Sequence, residues 1–283
     1  MCEMNLILVS IGNFQEYILF NISQLIKLKI SNIYIITNKC YFDKFDSYKD
    51  TVNLIDVNEL NDSYSFFNKT SLNKQFRNGF WTFTSLRFFY IYELMKKYNL
   101  TNCIHIENDV ILYYNINNII NNFDKKYFYI PFDTYNRNIA SIIFIPDHTI
   151  FKTILDNYNF SKNDMENFSL IKHKTGLIQN LPIFTSQYAN TNEELFVSEN
   201  FDNFKYIFDA AAIGQFLGGV DPRNISGNTC GFVNETCIIK YNKFNIIWKL
   251  DNDNIRKPYL IINDNIIPIF NLHIHSKNLS NFI

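Results

Sequence analysis

An α/β layer with a mostly parallel central sheet is the fold class that the sequence predicts. Short apolar runs rich in β-branched residues recur in the first part of the chain, amphipathic helical segments separate them, and each run stops at a polar interruption. Asn5-Leu6-Ile7-Leu8-Val9-Ser10-Ile11, halted by Gly12-Asn13, reads as a strand buried on both faces. Phe14, Ile18, Ile22, Leu25, Ile26 and Lys29 then recur at helical spacing, and Ile33-Tyr34-Ile35-Ile36-Thr37 is a second strand, which completes a βαβ unit. The weaker run from Val52 to Val57 reads as a third strand.

From Thr84 to Tyr98 the side chains of Phe88, Ile91, Met95 and Tyr98 share one helical stripe, with Thr84 as the expected cap and Lys96-Lys97 favourably placed at the C-terminal end. That helix leads into Cys103-Ile104-His105-Ile106, a strand ending on Glu107-Asn108-Asp109. In parallel sheets ligands collect beyond the carboxyl ends of strands, where both Gly12-Asn13 and Glu107-Asn108-Asp109 would sit.

Beyond residue 113 the pattern changes. The segments from Tyr127 to Ile130 and from Ala140 to Ile145 are strand-like, and Asp147 to Tyr158 reads as a capped helix with Ile150, Phe151, Ile154 and Leu155 inward. Residues 161–203 are polar and irregular, suited to loops or short helices over a cleft. No Pro/Gly/Ser linker and no internal repeat divides the chain. The expectation is one domain over 1–283 with two functional halves, 1–114 and 115–283.

Composition narrows the function. A chain of 283 residues with 47% hydrophobic and 17% aromatic content can bury a sizeable core. The formal net charge of −1 leaves no global basic field to gather nucleic acid or an anionic membrane, so any phosphate binding is local. The five cysteines are odd in number and show no CxxC spacing, which favours reduced thiols, with a loop between Cys230 and Cys237 as the alternative. No apolar run is long enough to cross a bilayer, and Met1-Cys2-Glu3-Met4 lacks the basic start of a secretory leader. A cytoplasmic location is the expectation.

Glu107-Asn108-Asp109 is the strongest chemical signal. An arbitrary pair of carboxylates at this spacing is most often a solvated turn, but here apolar runs flank it on both sides. Strand alternation would aim Glu107 and Asp109 to one side, towards a Mg²⁺ or Mn²⁺ ion that takes water and substrate phosphates as its remaining ligands. Near the C-terminus, His273 and His275 stand at strand spacing with Lys277 two residues on. Packed histidines are the simpler reading; the sharper one has an imidazole completing a divalent site while the lysine neutralises a diphosphate.

Three further segments carry weaker signals. Asp209 opens a small-residue helix that Gly218-Gly219 ends, and a plain helix cap accounts for it as well as function does. Arg87 either snorkels outward or faces the cleft and binds phosphate oxygens. The loop from Asn73 to Trp81 adds cations and aromatics suited to a sugar or nucleobase, with Trp81 equally suited to the core.

Taken in order, these elements resemble a nucleotide-sugar-dependent glycosyltransferase of the GT-A fold. The likeness spans nearly the whole chain. It rests on Val9-Ser10-Ile11-Gly12-Asn13 closing the first strand, Arg87 on the helix before the acidic strand, Glu107-Asn108-Asp109 in the place of the DXD motif, and His273-Ile274-His275-Ser276-Lys277 near the end. The run from Phe80-Trp81 through Arg87 to Val110, and later Phe208-Asp209-Ala210-Ala211-Ala212-Ile213-Gly214-Gln215, is similar to a group of bacterial and giant-virus transferases.

The resemblance implies roles. Asp109 matches the metal-binding carboxylate, Glu107 stands where an Asp more often contacts ribose and metal, and His273 or His275 matches a distal metal ligand. Lys277 matches a diphosphate contact, and Gly12, Asn13, Arg87 and Asn108 fall in the nucleotide-sugar site. Asp209 would deprotonate the acceptor in an inverting reaction or orient sugar hydroxyls in a retaining one. Glycogenin-like families follow their histidine with a glycine and a Lys-Pro-Trp run, whereas Ser276-Lys277-Asn278-Leu279 stands here.

The implied activity is metal-dependent transfer of a sugar from a nucleotide-diphosphate sugar, UDP-sugar favoured, to a hydroxyl of a glycan, glycolipid or protein. The nucleotide sugar would use 1–114 and the acceptor 115–283. Two alternatives stand. A sugar-phosphate nucleotidyltransferase would carry a Gly-rich, basic N-terminal loop, which Gly12-Asn13-Phe14-Gln15 matches poorly. A catalytically silent carbohydrate-binding or scaffold protein would tolerate Asp109→Ala.

Overall fold

The computed structural model describes residues 3–221, 223–224 and 230–283; Met1 and Cys2, named in the sequence reading, lie outside them. The chain runs β1 (Asn5–Ser10), α1 (Tyr17–Lys27), β2 (Ile33–Thr37), β3 (Val52–Asp56), α2 (Phe66–Lys69), α3 (Phe80–Tyr98), β4 (Cys103–Ile106) and β5 (Val110–Leu112). It continues with β6 (Phe128–Thr134), β7 (Arg137–Asn138), β8 (Ile142–Ile145), α4 (His148–Leu155), α5 (Asp164–Thr175) and β9 (Ile178–Leu181). The remainder is α6 (Asn192–Val197), α7 (Phe201–Phe204), β10 (Ile207–Phe208), α8 (Ala212–Gly218), β11 (Asn245–Leu250), β12 (Arg256–Ile262) and β13 (Asn265–His273).

The central sheet has the order β3-β2-β1-β4-β8-β6-β7, with β9 added beside β6. Its first four strands are parallel, β8 enters antiparallel between β4 and β6, and β6 and β9 are parallel to each other. This is the mixed, mostly parallel α/β architecture expected. Period-two burial explains the unbroken apolar runs: Leu6 and Leu8 pack with Ile18, Ile22 and Leu25 of α1, while Ile7 between them packs with α3 on the other face.

A second sheet, β10-β13-β12-β11 with β5 beside β13, forms the other layer. Its pairing of β13 with β5 sets His273 opposite Val110, and the Ile274 N–H donates to the Asp109 carbonyl at 2.8 Å. Two motifs more than 160 positions apart in the chain thereby become neighbours.

Two helix expectations change. The long helix begins at Phe80, because Gly79 at φ 83° supplies the left-handed turn that starts it; Thr84 lies inside, its Oγ1 donating to the Trp81 carbonyl at 3.1 Å, and caps nothing. Within 161–203, expected as loops or short helices, lie the twelve-residue α5 and the strand β9. The inner face of α5 buries Asp164, Asn167 and Ser169 beside Phe168 and Ile171, so polar residues mask its apolar period. By contrast α4 is capped as expected, Asp147 accepting from Thr149 and Ile150. Cys40, Cys103, Cys230 and Cys237 are free thiols, so no bridge joins Cys230 to Cys237. Among the described residues no helix is long and apolar enough to cross a membrane.

Candidate functional site

Glu107-Asn108-Asp109 forms a tight turn between β4 and β5, closed by the Val110 N–H donating to the Glu107 carbonyl at 3.0 Å. The two carboxylates therefore converge through a turn and not through the strand alternation expected. Asn108 is a staple: its Nδ2 donates to the Val9 carbonyl at 2.9 Å and to Gln15 Oε1 at 2.7 Å, tying the turn to the end of β1. Asn21 of α1 donates to the Asn108 carbonyl at 3.2 Å.

His273 closes the site from the last residue of β13. Its Nε2 lies 3.1 Å from Asp109 Oδ2 and 3.3 Å from Glu107 Oε2, and one ligand atom from each of the three residues falls within 4.8 Å of the others. Two carboxylates and an imidazole suit a divalent cation that accepts both oxygen and nitrogen. His275 lies beside it, ring centroids 5.2 Å apart, and lines the cleft without joining the three.

Cations surround the carboxylates. Lys277 Nζ donates to the same Asp109 Oδ2 that His273 contacts, and it lies 5.6 Å from the centre of the Tyr17 ring. Arg87, buried on α3, donates through Nη1 to Glu107 and through Nη2 to Asp164 at 3.2 Å and the Ala140 carbonyl at 3.3 Å. Its two terminal nitrogens are thus engaged by protein oxygens, while the side chain lines the cleft as one of its two readings has it. Burial alone would raise the Asp109 carboxyl, but His273 and Lys277 hold it well below the usual range. Glu107 is likewise held low against burial by Arg87 and His273. For His273 burial acts downward and the Asp109 carboxylate more than offsets it, so the imidazole is held above its ordinary value. Burial and the neighbouring His273 instead push His275 down to about 4.

These groups face a cleft of about 1180 Å³ whose walls come from the β1–α1 loop, the start of α3, the β4–β5 turn, α8 and the segment after β13. Gly12 and Asn13 line it; the Gly12 N–H donates to Asn38 Oδ1 at 3.0 Å and Tyr41 Oη donates to the Gly12 carbonyl at 2.8 Å, fixing the loop. Trp81 lines it as well, with Arg77 and Phe80 from the loop read as sugar- or base-binding.

Asp209 does not line the cleft. It is fully buried, its Oδ1 accepting from the Ile213 N–H at 2.9 Å and its Oδ2 from the N–H groups of Gly214 at 2.8 Å and His273 at 2.9 Å. The carboxylate therefore satisfies the first turn of α8, as its cap reading implied, and also pins that helix to β13.

Tyr17, Asp164 and Asn234 also line the cleft, although the sequence reading did not single them out as site residues, and Gln215 does so although it was read only as part of the run from Phe208. Asn163-Asp164-Met165-Glu166 did carry a signal, an amide followed three residues later by glutamate, and Asn163 indeed accepts from the Glu166 N–H at 3.1 Å. His105 is also part of the wall. Its Nδ1 donates to the Ile7 carbonyl at 2.9 Å, leaving a buried, bare Nε2, and burial pushes the ring down to about 3.

No family model and no curated protein matches this chain. Among solved structures it is similar to the PaToxG glycosyltransferase, at 14% identity over 61% of this chain and 69% of that one, with a TM-score of 0.40. The glycosyltransferase GlyE of Streptococcus pneumoniae TIGR4 matches at 12% identity over 66% of this chain and 46% of its own, TM-score 0.41, so the match spans under half of that protein. A cytidylyltransferase from Leptospira borgpetersenii serovar Hardjo-bovis matches at 11% identity over 64% and 76%, TM-score 0.37. The structural neighbours are thus glycosyltransferases and nucleotidyltransferases.

Proposed function

We propose that the cleft binds a nucleotide-diphosphate sugar, UDP-sugar favoured, together with Mn²⁺ or Mg²⁺, and transfers the sugar to an acceptor hydroxyl of a glycan, glycolipid or protein. The observation that carries this reading is the convergence of Glu107, Asp109 and His273 at the wall of a cleft large enough for such a molecule. Asp109 and His273 are the principal metal ligands. Glu107, already engaged by Arg87, is the weaker one, and His275 stands in reserve beside them.

Charge balance favours the same reading. Three carboxylates, Glu107, Asp109 and Asp164, face three basic side chains, Arg87, His273 and Lys277. A divalent ion enters without leaving uncompensated charge if Lys277 moves off Asp109 and His273 gives up its proton. Lys277, on a flexible stem at the cleft margin, then meets the diphosphate. A bound metal ion supplies Lewis-acid stabilisation of the charge that develops on the departing nucleoside diphosphate. Arg87 keeps Glu107 and Asp164 fixed, and Asn108 keeps the acidic turn against β1, where Gly12 and Asn13 receive the nucleoside. The half 1–114 thus takes the nucleotide, and 115–283 shapes the acceptor side.

Asp209 acts in this scheme as a positioning residue. Its carboxylate is out of reach of an acceptor, and the three N–H groups it holds align α8 and His273.

Incubation with Mn²⁺ and a panel of nucleotide sugars, with free UDP and GDP as the readout, tests the proposal. Release from at least one nucleotide sugar, abolished in Asp109→Asn, is the expected result. Silence across the panel together with no nucleotide binding by calorimetry overturns it. Pyrophosphate release from a nucleoside triphosphate and a sugar 1-phosphate would select the nucleotidyltransferase alternative.

A further inference from the structure

Asn234 fixes the orientation of Gln215 through a short chain of hydrogen bonds. The Asn234 Oδ1 accepts from the backbone N–H groups of Thr236 at 3.1 Å and Cys237 at 3.2 Å, so its Nδ2 must be the outward donor. That Nδ2 lies 3.0 Å from Gln215 Oε1. A donor there requires the Gln215 oxygen to face Asn234, which turns the Gln215 Nε2 the other way, with no protein acceptor among the described residues. The Asn234 segment is itself held, since Lys240 Nζ donates to the carbonyls of Asn234 at 3.2 Å and Glu235 at 2.7 Å.

Gln215 is 8% exposed and lines the cleft together with Asn234 and Ala211. Its place relative to the metal-binding residues is rigid. The preceding Gly214 lies directly against the backbone of His273, and Asp209 clasps both of their N–H groups. A buried amide donor with its oxygen already committed, held one residue from that clamp, is built to meet an oxygen of a bound molecule. The phosphates are served by full charges, whereas a neutral N–H₂ beside the small Ala211 suits a neutral hydroxyl.

We propose that Gln215 is a specificity-determining residue that donates from Nε2 to one ring hydroxyl of the sugar in the nucleotide sugar, with Asn234 as the residue that positions it. This rests on the functional reading above and names the group that reads the sugar. A site built to hydrogen-bond a hydroxyl discriminates strongly against the analogue that lacks it.

Calorimetry in Mn²⁺ with UDP, the preferred UDP-sugar and a series of its monodeoxy analogues tests this. In the wild type one deoxy analogue binds about tenfold more weakly than its parent, the loss of a single good hydrogen bond. In Gln215→Met that ratio falls to about one while UDP affinity stays within about twofold of wild type. Asn234→Asp keeps both backbone contacts but removes the donor to Gln215, and the same ratio falls part of the way; being a ratio, it is insensitive to the added charge. Wild-type discrimination that survives Gln215→Met overturns the assignment alone, as does a wild type that binds every deoxy analogue like its parent. A wild type that binds no nucleotide overturns the functional reading and this assignment with it.

Discussion

Gly214 packs directly on the backbone of His273: a methyl group in place of the Gly214 hydrogen would stand 2.7 Å from the His273 carbonyl carbon and closer still to its oxygen. Helix α8 and strand β13 approach this closely only because position 214 has no side chain, and the approach is what delivers His273 to the carboxylates of Glu107 and Asp109.

Gly214→Ala should therefore cost both stability and metal binding. The obstructing atoms are backbone and cannot rotate aside, so the helix or the strand must shift, at about 1–3 kcal/mol or more. For Gly218→Ala, on the same helix, the nearest atoms are side-chain atoms of the Phe282 ring and the Ser276 hydroxyl, at 3.1 and 3.2 Å, which can move. Chemical unfolding should rank Gly214→Ala well below Gly218→Ala, and Mn²⁺ titration should show about a tenfold weaker site in the former alone. Equal behaviour of the two variants would remove the role assigned to this contact.

Lys277 is expected to oppose metal binding when no nucleotide is present and to favour nucleotide binding once the metal is in place. Its ammonium occupies the Asp109 oxygen that a cation needs, and moving onto a diphosphate relieves that competition. In Lys277→Met, Mn²⁺ affinity of the nucleotide-free protein should rise several-fold, read from the loss of the free-ion spin resonance signal. UDP affinity measured by calorimetry at saturating Mn²⁺ should fall about tenfold. Two unchanged constants would place Lys277 outside the site's chemistry.

Sequence reasoning reached the layers of the fold and the two poles of the site because both are written in local patterns. The run from Asn5 to Ile11 and the strand before Glu107 are apolar on both faces, which only a covered sheet explains, and the carboxylates at its end are conspicuous against them. What it missed depends on long-range pairing or on polar burial. The register of β13 against β5 selects His273 over His275, and no local feature of His-Ile-His encodes that choice. Asp164 escaped because the buried face of α5 is partly polar, and the ion pairs of Arg87 escaped because its partners Glu107 and Asp164 lie 20 and 77 residues away. Asp209 illustrates the reverse: two of its hydrogen bonds satisfy the first turn of α8, the third holds the His273 N–H, and the buried carboxylate does not line the cleft.

Asp164 gives the site a pH signature separable from catalysis. Burial raises its carboxyl, Arg87 only partly counters this and Glu107 adds to it, so the group is pushed up to about 6. In the unfolded chain an Asp titrates near 3.9. Between about pH 4 and about pH 6 the folded protein thus retains a proton that the unfolded chain has lost. The stabilising contribution is complete below the unfolded value and disappears as pH rises through the folded one. Asp164→Asn keeps an oxygen for Arg87 Nη2 but has no proton to lose. The unfolding free energy of the wild type minus that of Asp164→Asn should then decline across this window, by up to about 1.4 kcal/mol per pH unit, and level off above about pH 7. Guanidinium unfolding of both proteins at matched pH values measures it. Parallel curves would mean that Arg87 holds Asp164 ionised throughout.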